Sequence, residues 1–309
     1  MLLLKRLILI LLWLLPVQAT YAETLVLGSL ENDVRRQLSE FESLARYLED
    51  ALSDAGISKV EISVYREEAS FIDAFSYGDI DLYFDTPVIA AKMSRAVDAK
   101  PLLLQLRDGE ATYHSHIVVP QNSPVQTIKD LTGLKIAFEE PDSSSGFLMP
   151  ADVITSAGGK LVKLRSRKRN VPADKIGYVF TGDGNNTMYW LTRGWTDAAA
   201  LNDREINHVE TVYPGHFRVI KTSASMPRQV VMQGTHVDPD LSAAITRVLL
   251  DMHQTAEGRV AISAFFGTER FVPFADGRAT FVPLLDVIDR LIYAKVIAAA
   301  PNTASKKAR

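Results

Sequence analysis

The chain has 309 residues, of which 47% are hydrophobic and 23% are charged, and its formal net charge is −3. This is the composition of an ordinary globular protein, and the absence of a basic excess excludes a general nucleic-acid-binding protein. The sequence contains no cysteine, which excludes a disulfide framework, a thiolate metal site and the acylated cysteine of a bacterial lipoprotein.

The first 22 residues have the pattern of a secretory signal peptide. Lys5 and Arg6 precede an apolar run at residues 7–15, and small residues follow up to a cleavage site after Ala22. The run is shorter than the roughly 20 residues that a membrane-spanning helix needs, although an uncleaved anchor is the alternative. We therefore expect a periplasmic protein that is released by cleavage and is not a lipoprotein.

Strand-like and helix-like segments alternate from residue 24 onward. A buried-strand pattern at residues 24–29 precedes helical spacing of apolar residues over 34–52. The segments that continue the alternation are strands at 60–65, 81–84, 101–106 and 113–119, with helices at 69–75 and 88–96. This order predicts an α/β fold with a mostly parallel sheet, in which ligands lie beyond the carboxyl ends of the strands.

A serine-rich turn follows the apolar strand pattern at residues 135–138. Ser143, Ser144 and Ser145 stand at the start of a helical pattern that reaches residue 156. Hydroxyls, free backbone N–H groups and the positive end of a helix dipole suit a small oxyanion such as phosphate, phosphonate, sulfate or carboxylate. The alternative is that a serine caps the helix and binds nothing.

A second α/β lobe begins after the turn at residues 120–124 and contains the serine turn. Its further segments are a strand at 177–180, a Gly-rich loop at 181–186, a helix at 187–193 and a strand at 197–201. The chain then returns to a strand at 229–232 and to helices at 239–254, 258–266 and 283–299. We predict a first lobe of residues 23–118 and 225–309, and a second lobe of residues 119–224.

The order of these motifs resembles the phosphonate- and phosphite-binding periplasmic proteins of ABC importers. The resemblance depends on Ser-Ser-Ser-Gly-Phe-Leu-Met-Pro at 143–150, the Gly-rich loop, and Trp-Thr-Asp-Ala-Ala-Ala at 195–200. It implies a two-lobed type II periplasmic-binding-protein fold with a two-strand hinge, a ligand closing the cleft, and delivery to a membrane permease. It also implies a monomer that needs no cofactor.

The resemblance assigns the oxyanion to Ser143, Ser144 and Ser145, which stand where the family has its Ser/Thr-rich turn. Two tyrosines that are usual in the first lobe are replaced by Glu68 and Asp85. Tyr83 is near and would face the ligand only in a different strand register.

The remaining family positions also differ in this chain. The histidine of the Gly-rich loop falls at Gly184, beside Asn185, and an acidic residue after the next strand falls near Arg204. A further acid on the return strand falls near Arg228 or Gln229.

Carboxylates at the cleft would repel a dianion unless they pair with an arginine or with a cationic part of the ligand. A zwitterion, with its acid on the serines and an amine between Glu68 and Asp85, fits this arrangement. The alternative is that Glu68 and Asp85 cap the helices that follow them.

Two further patterns bear on function. His114 and His116 share one face of a strand, but the sequence shows no third ligand, so we predict no metal site. No catalytic motif is present, and we predict that the protein is not an enzyme. We expect a solute-binding protein of an ABC importer; the alternative is a periplasmic sensor that signals to a membrane kinase or cyclase.

Overall fold

The computed structural model describes residues 23–31, 33–97, 99–275 and 277–298. The predicted signal peptide lies outside these residues. Within them the protein is an α/β molecule of two lobes, each with a six-stranded sheet flanked by helices, which confirms the predicted fold class. No helix of the described residues is long and apolar enough to cross a membrane.

The first lobe is built on a mixed sheet, in which three of the five strand pairings are antiparallel, whereas a mostly parallel sheet was predicted. Its strands are β1 (Glu23–Leu30), β2 (Ile57–Tyr65), β3 (Leu82–Asp85), β4 (Lys100–Leu106), β13 (Val230–Gln233) and β14 (Arg270–Pro273). They stand in the order β14-β4-β13-β3-β1-β2. The strand β1 is parallel to β2 and β3, whereas β13 runs antiparallel between β3 and β4. The carboxyl ends of β1, β3 and β4 therefore meet at one edge of this sheet.

Helices cover both faces of the first sheet. They are α1 (Val34–Ala51), α2 (Glu68–Tyr77), α3 (Pro87–Ala96), α7 (Pro239–Asp251) and α8 (Ala256–Ala264). The helix α1 is capped by Asp33, whose side chain accepts a hydrogen bond from the Arg36 backbone N–H. Its buried stripe, which includes Phe41, Leu44 and Leu48, has the spacing that the sequence predicted.

The second lobe has a sheet of similar design. Its strands are β6 (Ser115–Pro120), β7 (Lys135–Phe138), β8 (Leu161–Lys163), β9 (Ile176–Phe180), β10 (Ala198–Asn202) and β11 (Phe217–Thr222). They stand in the order β11-β6-β10-β7-β9-β8, and β7 is parallel to both β9 and β10. The helices of this lobe are α4 (Met149–Ser156), α5 (Gly184–Thr192) and α6 (Asp203–Val212).

Two chain segments cross between the sheets. The short strands β5 (Thr112–Tyr113) and β12 (Met226–Pro227) pair antiparallel with each other outside both large sheets. The single strand expected at residues 113–119 is thus two strands, separated at His114. The predicted division at 118/119 falls inside β6, and the lobe limits stay a prediction.

The last helix joins the two lobes. The helix α9 (Val282–Tyr293) packs against α3 of the first lobe and α4 of the second. Arg290 on α9 donates two hydrogen bonds to Asp152 on α4, from Nε at 2.7 Å and Nη2 at 2.9 Å. A continuous apolar cluster runs through this contact. The helix ends at Tyr293, short of the residue 299 that the pattern suggested.

Candidate functional site

A cavity of about 640 Å³ lies between the two lobes. It is lined by residues that follow β1, β3 and β4 in the first lobe and β7, β9 and β10 in the second, together with residues of the second crossing segment. A cleft at the carboxyl ends of two sheets is where α/β proteins bind small molecules. We call this cavity the cleft.

The serine turn lies at the cleft, but its hydroxyls have partners within the protein. Ser143 Oγ donates to Glu139 Oε2 at 2.7 Å and accepts from the Gly146 backbone N–H at 2.9 Å. Ser143 therefore caps the turn, as one sequence interpretation held. The turn is a π-helical segment, Ser144–Leu148, which runs directly into α4.

The other two serines point to different surroundings. Ser144 is fully buried, and its Oγ accepts a hydrogen bond from the Val88 backbone N–H across the lobes at 3.2 Å. Ser145 lines the cleft near Tyr113. Burial raises the pKa of Tyr113, and a hydrogen bond from Ser145 opposes that rise. Ser145 is thus the serine of the turn that is best placed to meet a ligand.

Asp85 and Tyr83 form a pair at the end of β3. Tyr83 is buried, and its hydroxyl donates to Asp85 Oδ2 at 2.5 Å. Asp85 lines the cleft, and burial raises the pKa of its carboxyl to about 7, against the lowering effect of hydrogen bonds from Tyr83 and Thr86. Tyr83 thereby acts on the cleft through Asp85.

Glu68 lies at the start of α2 and not among the residues that line the cleft. Its Oε2 forms an ion pair with Lys92 Nζ at 2.5 Å. The structure therefore does not bring Glu68 and Asp85 together on two sides of one amine. Glu68 stands in the first turn of α2, where a carboxylate interacts favourably with the helix dipole, but the N-cap residue is Glu67 and no side chain makes a capping hydrogen bond there.

Four arginines line the cleft. Arg36 on α1 forms an ion pair with Glu31 at 2.6 Å, whereas the other three come from separate segments: Arg107 after β4, Arg204 at the start of α6, and Arg228 after β12. Burial lowers the pKa of Arg107, and the charges of Arg204 and Arg228 lower it further. Since like charges act on one another in this way, the three guanidinium groups share one region of the cleft. We call them the arginine cluster.

Few acidic side chains in the described part of the chain neutralise the positive charges of the arginine cluster. Arg107 and Arg204 form no ion pair there, and Arg228 has a loose one, with Nη2 3.8 Å from Asp108 Oδ2. The side chain of Arg228 is 7% exposed, and its buried Nε lacks a hydrogen-bond partner among these residues. Its guanidinium carbon lies 5.1 Å from the centre of the Tyr113 ring. Tyr113 thus connects the arginine cluster with Ser145.

Several carboxylates also line the cleft. Burial raises the pKa of Glu140 to about 7, with further contributions from Glu31, Asp142 and Glu139. Burial likewise raises the pKa of Glu205 to about 8, and the charge of Glu139 adds to the effect. The cleft therefore holds mutually repelling carboxylates as well as guanidinium groups, and the charges of Arg36 and Arg204 partly oppose the raised pKa values of Glu140 and Glu205 respectively.

Asn185 and Arg204 line the cleft together with these carboxylates. Asn185 lies in the first turn of α5 and lines the cleft. A side chain at the neighbouring Gly184 would displace the Glu205 carboxylate, because a Cβ there would stand 1.8 Å from Glu205 Oε1.

The two strand histidines do share a partner, which the sequence did not reveal. His116 Nε2 lies 2.8 Å from Asp203 Oδ1, and His114 Nδ1 lies 3.5 Å from Asp203 Oδ2. Within the described residues, no group of three or more metal-ligating side chains has the geometry of a metal site. The carboxylate instead accepts from the His114 backbone N–H at 2.6 Å and ties α6 to the crossing segment.

The sequence patterns did not indicate Arg107 or Tyr113 as site residues, and Arg228 entered only as one of two positions near which a family acid falls. Arg107 follows directly after β4, so the rule that ligands meet the carboxyl ends of strands could have identified it. Nothing in the local sequence shows that Arg228 is buried.

Comparison with known proteins agrees with this architecture. Residues 31–278 match the family described as ABC transporter, phosphonate, periplasmic substrate-binding protein, and the chain belongs to that family. A relative, the phosphate-import protein PhnD of Mycolicibacterium smegmatis, is 22% identical over 230 residues, which are 72% of this chain and 69% of the relative. The family is one of binding proteins and not of enzymes, as the sequence predicted.

Solved structures share the fold at low identity. XAC2383 from Xanthomonas citri, bound to ATP, has a TM-score of 0.77 at 23% identity, covering 89% of this chain and 99% of that one. PhnD1 from Prochlorococcus marinus, in complex with methylphosphonate, has a TM-score of 0.66 at 16% identity, covering 87% and 98%. These similarities establish a common two-lobed fold.

Proposed function

We propose that the protein is the solute-binding component of an ABC importer and that it binds a small, oxyanion-bearing ligand of the phosphonate type in the cleft. The observation that carries this proposal is the arginine cluster. Three guanidinium groups that lack close ion pairs within the described residues form a site for an oxyanion, because guanidinium binds phosphoryl-type oxygens through paired hydrogen bonds.

The other cleft residues take supporting roles in this proposal. Ser145 and Tyr113 lie beside Arg228 and contribute hydroxyls to the same anion. Asn185 and Asp85 line other parts of the cleft and meet the remainder of the ligand. Ser143, Ser144 and Tyr83 keep the turn and Asp85 in place through their own hydrogen bonds.

The cleft also favours a ligand that is not purely anionic. Glu140 and Asp142 raise the local negative charge, so a second anionic group there would be repelled. A ligand with an amino group or another donor at that end would instead satisfy these carboxylates. The zwitterion considered from the sequence therefore remains suitable, with its acid on the arginine cluster.

Calorimetry with the purified mature protein tests the ligand class. Phosphate, phosphite, methylphosphonate, 2-aminoethylphosphonate, sulfate and ATP would be titrated at low and at high salt. We expect at least one phosphorus oxyanion to bind, more weakly at high salt because the contacts are ionic. Arg204→Gln should weaken binding at least about tenfold, whereas Arg193→Gln, on an exposed arginine outside the cleft, should not.

A transport assay tests the importer assignment separately. The ligand-loaded protein should stimulate ATP hydrolysis by its reconstituted ABC permease and ATPase. If it binds a phosphorus oxyanion but never stimulates such a transporter, the importer assignment is wrong and sensing becomes the better explanation. If none of the anions binds, the proposed ligand class itself is wrong.

A further inference from the structure

A second, smaller cavity lies beside the cleft and reaches into the first lobe. Its volume is about 140 Å³. Asp85, Gln229 and Phe266 are among the residues that line both this cavity and the cleft. The two spaces are therefore adjacent, and we call the smaller one the side pocket.

Three of the glutamines that line the side pocket have a side-chain oxygen without a hydrogen-bond partner among the described residues. Oε1 of Gln37, of Gln105 and of Gln229 is buried, and none has a hydrogen-bond partner among the described residues. A buried polar atom without a partner costs about 1–3 kcal/mol. One site that holds three such atoms therefore favours an occupant with hydrogen-bond donors.

The hydrogen bonds around Gln105 and Gln37 decide which amide atom is free. Thr268 Oγ1 donates its proton to the Phe265 carbonyl at 2.5 Å, so it accepts from the Gln105 amide nitrogen. In Gln37 the amide nitrogen donates to Ser29 Oγ at 2.5 Å. In both side chains the amide oxygen, and not the nitrogen, lacks a partner. An occupant of the side pocket would therefore bind through hydrogen-bond donors and not through acceptors.

The rest of the lining is aromatic and acidic. Phenylalanine rings form much of the wall, namely Phe84, Phe265, Phe266 and Phe271, and the carboxyl of Asp85 lies among them. The volume of about 140 Å³ is close to that of an engineered cavity of about 150 Å³ that binds benzene. The pocket therefore has room for one six-membered ring or a group of similar size.

We propose that the side pocket binds the organic part of the ligand, a ring-sized group that carries N–H or O–H donors, while the anionic group lies on the arginine cluster. This inference rests on the proposed function, because it places the anion in the cleft. The glutamine oxygens accept the donors of the ring-sized group, and the phenylalanines pack against its faces. Small alkylphosphonates fill the anion site and leave the side pocket to water.

A series of three phosphonates tests this inference by calorimetry. Methylphosphonate carries the anion alone, benzylphosphonate adds a ring, and (4-aminobenzyl)phosphonate adds a ring with a donor. We expect affinity to rise along this series, by about tenfold or more from the first to the last. In Gln37→Met, which removes one acceptor at similar volume, the affinity ratio of (4-aminobenzyl)phosphonate to methylphosphonate should fall about fivefold.

Gln254→Met is the matched control, because Gln254 lies on the surface and bonds to Asp251; its affinity ratio should equal that of the wild type. If the wild type binds all three phosphonates equally, water alone occupies the side pocket and this inference fails while the proposed function stands. A ratio unchanged in Gln37→Met would overturn the role of the glutamine acceptors. If the wild type binds none of the three, the phosphonate ligand class fails and the inference fails with it.

Discussion

The serine turn and the arginine cluster are both able to bind an anion, but they differ in what already satisfies them. The turn is one contiguous segment, and Ser143 and Ser144 have their hydroxyls engaged with Glu139, Gly146 and Val88. The arginines come from three distant segments and have only one loose ion pair among the described residues. The serine turn is the more conspicuous of the two in the sequence. The arginine cluster nevertheless has more groups that lack a partner within the described residues and are available to a ligand.

The difference has a physical cause. Serines next to a helix start find backbone N–H groups and nearby carboxylates within a few residues, so local contacts satisfy them. A guanidinium group at the end of a strand has fewer such partners within a few residues of it, as the single loose ion pair of the arginine cluster shows. Residues that only the tertiary fold brings together are thus the better candidates for recognition in this protein.

The largest expected effect follows from removing the buried arginine. Arg228→Gln should weaken phosphonate binding by about 2–4 kcal/mol, because it deletes a desolvated charge that faces the anion. Arg228→Lys should recover part of this loss, since it restores the charge without the paired donors. Calorimetry of both variants, with thermal unfolding to show that each is folded, measures the effect. If Arg228→Gln binds the phosphonate as tightly as the wild type, the arginine cluster is not the anion site and the serine turn becomes the better candidate.

Much of the fold was predictable because apolar periodicity reports burial directly. The stripe of α1 and the strands β1 and β7 appear in the sequence at nearly the observed positions. The helix α6 was not predicted, since its only fully buried residue is Val209. Its capping box, Asn202 with Glu205, was the available signal.

The site was less predictable than the fold. Asp85 and Arg204 were expected at the cleft and line it, since each follows a strand in the sequence. Glu68 forms an ion pair with Lys92 instead. The sequence around these two residues does not predict this contact. The convergence of Arg107 with Arg228 depends on how two sheets face each other, which single-sequence patterns do not record.

The acidic part of the cleft provides the second prediction, which concerns pH. The pKa of Glu205 is raised to about 8, above the value of about 4.5 in an unfolded chain. The folded protein thus retains a proton that the unfolded chain releases. This stabilising contribution is complete below about pH 4.5 and is lost as the pH rises through about 8. Glu140 and Asp85, each raised to about 7, act in the same direction.

We expect the free energy of unfolding to fall by about 1–2 kcal/mol between pH 6 and pH 8 through Glu205. Glu205→Gln should remove this part of the slope, because glutamine keeps the capping hydrogen bond to the Asn202 backbone N–H without titrating. Urea unfolding at both pH values measures it. A slope identical in wild type and variant would show that Glu205 does not titrate in this range.

The third prediction separates the members of the serine turn. Ser145→Ala should weaken phosphonate binding by about 1 kcal/mol, since the hydroxyl lies at the cleft beside Tyr113 and is one of several donors to the anion. Tyr113→Phe should have a similar effect, and the double variant should lose less than the sum because the two groups interact. Titration of the three variants decides this, and strictly additive losses would argue that the two hydroxyls act independently.

The smallest effect on binding is expected for Ser143→Ala, and it is the sharpest test of the contrast between the two regions. The Ser143 hydroxyl already donates to Glu139 and accepts from Gly146, so its removal takes no donor away from the ligand. The free energy of unfolding should fall by about 0.5–2 kcal/mol through loss of the cap, whereas the dissociation constant for a phosphonate should change less than about twofold.

Unfolding and calorimetry experiments on the same Ser143→Ala preparation measure the two effects. A tenfold loss of affinity with unchanged stability would mean that the ligand displaces Glu139 and takes the serine hydroxyl for itself, which would make the turn the principal anion site.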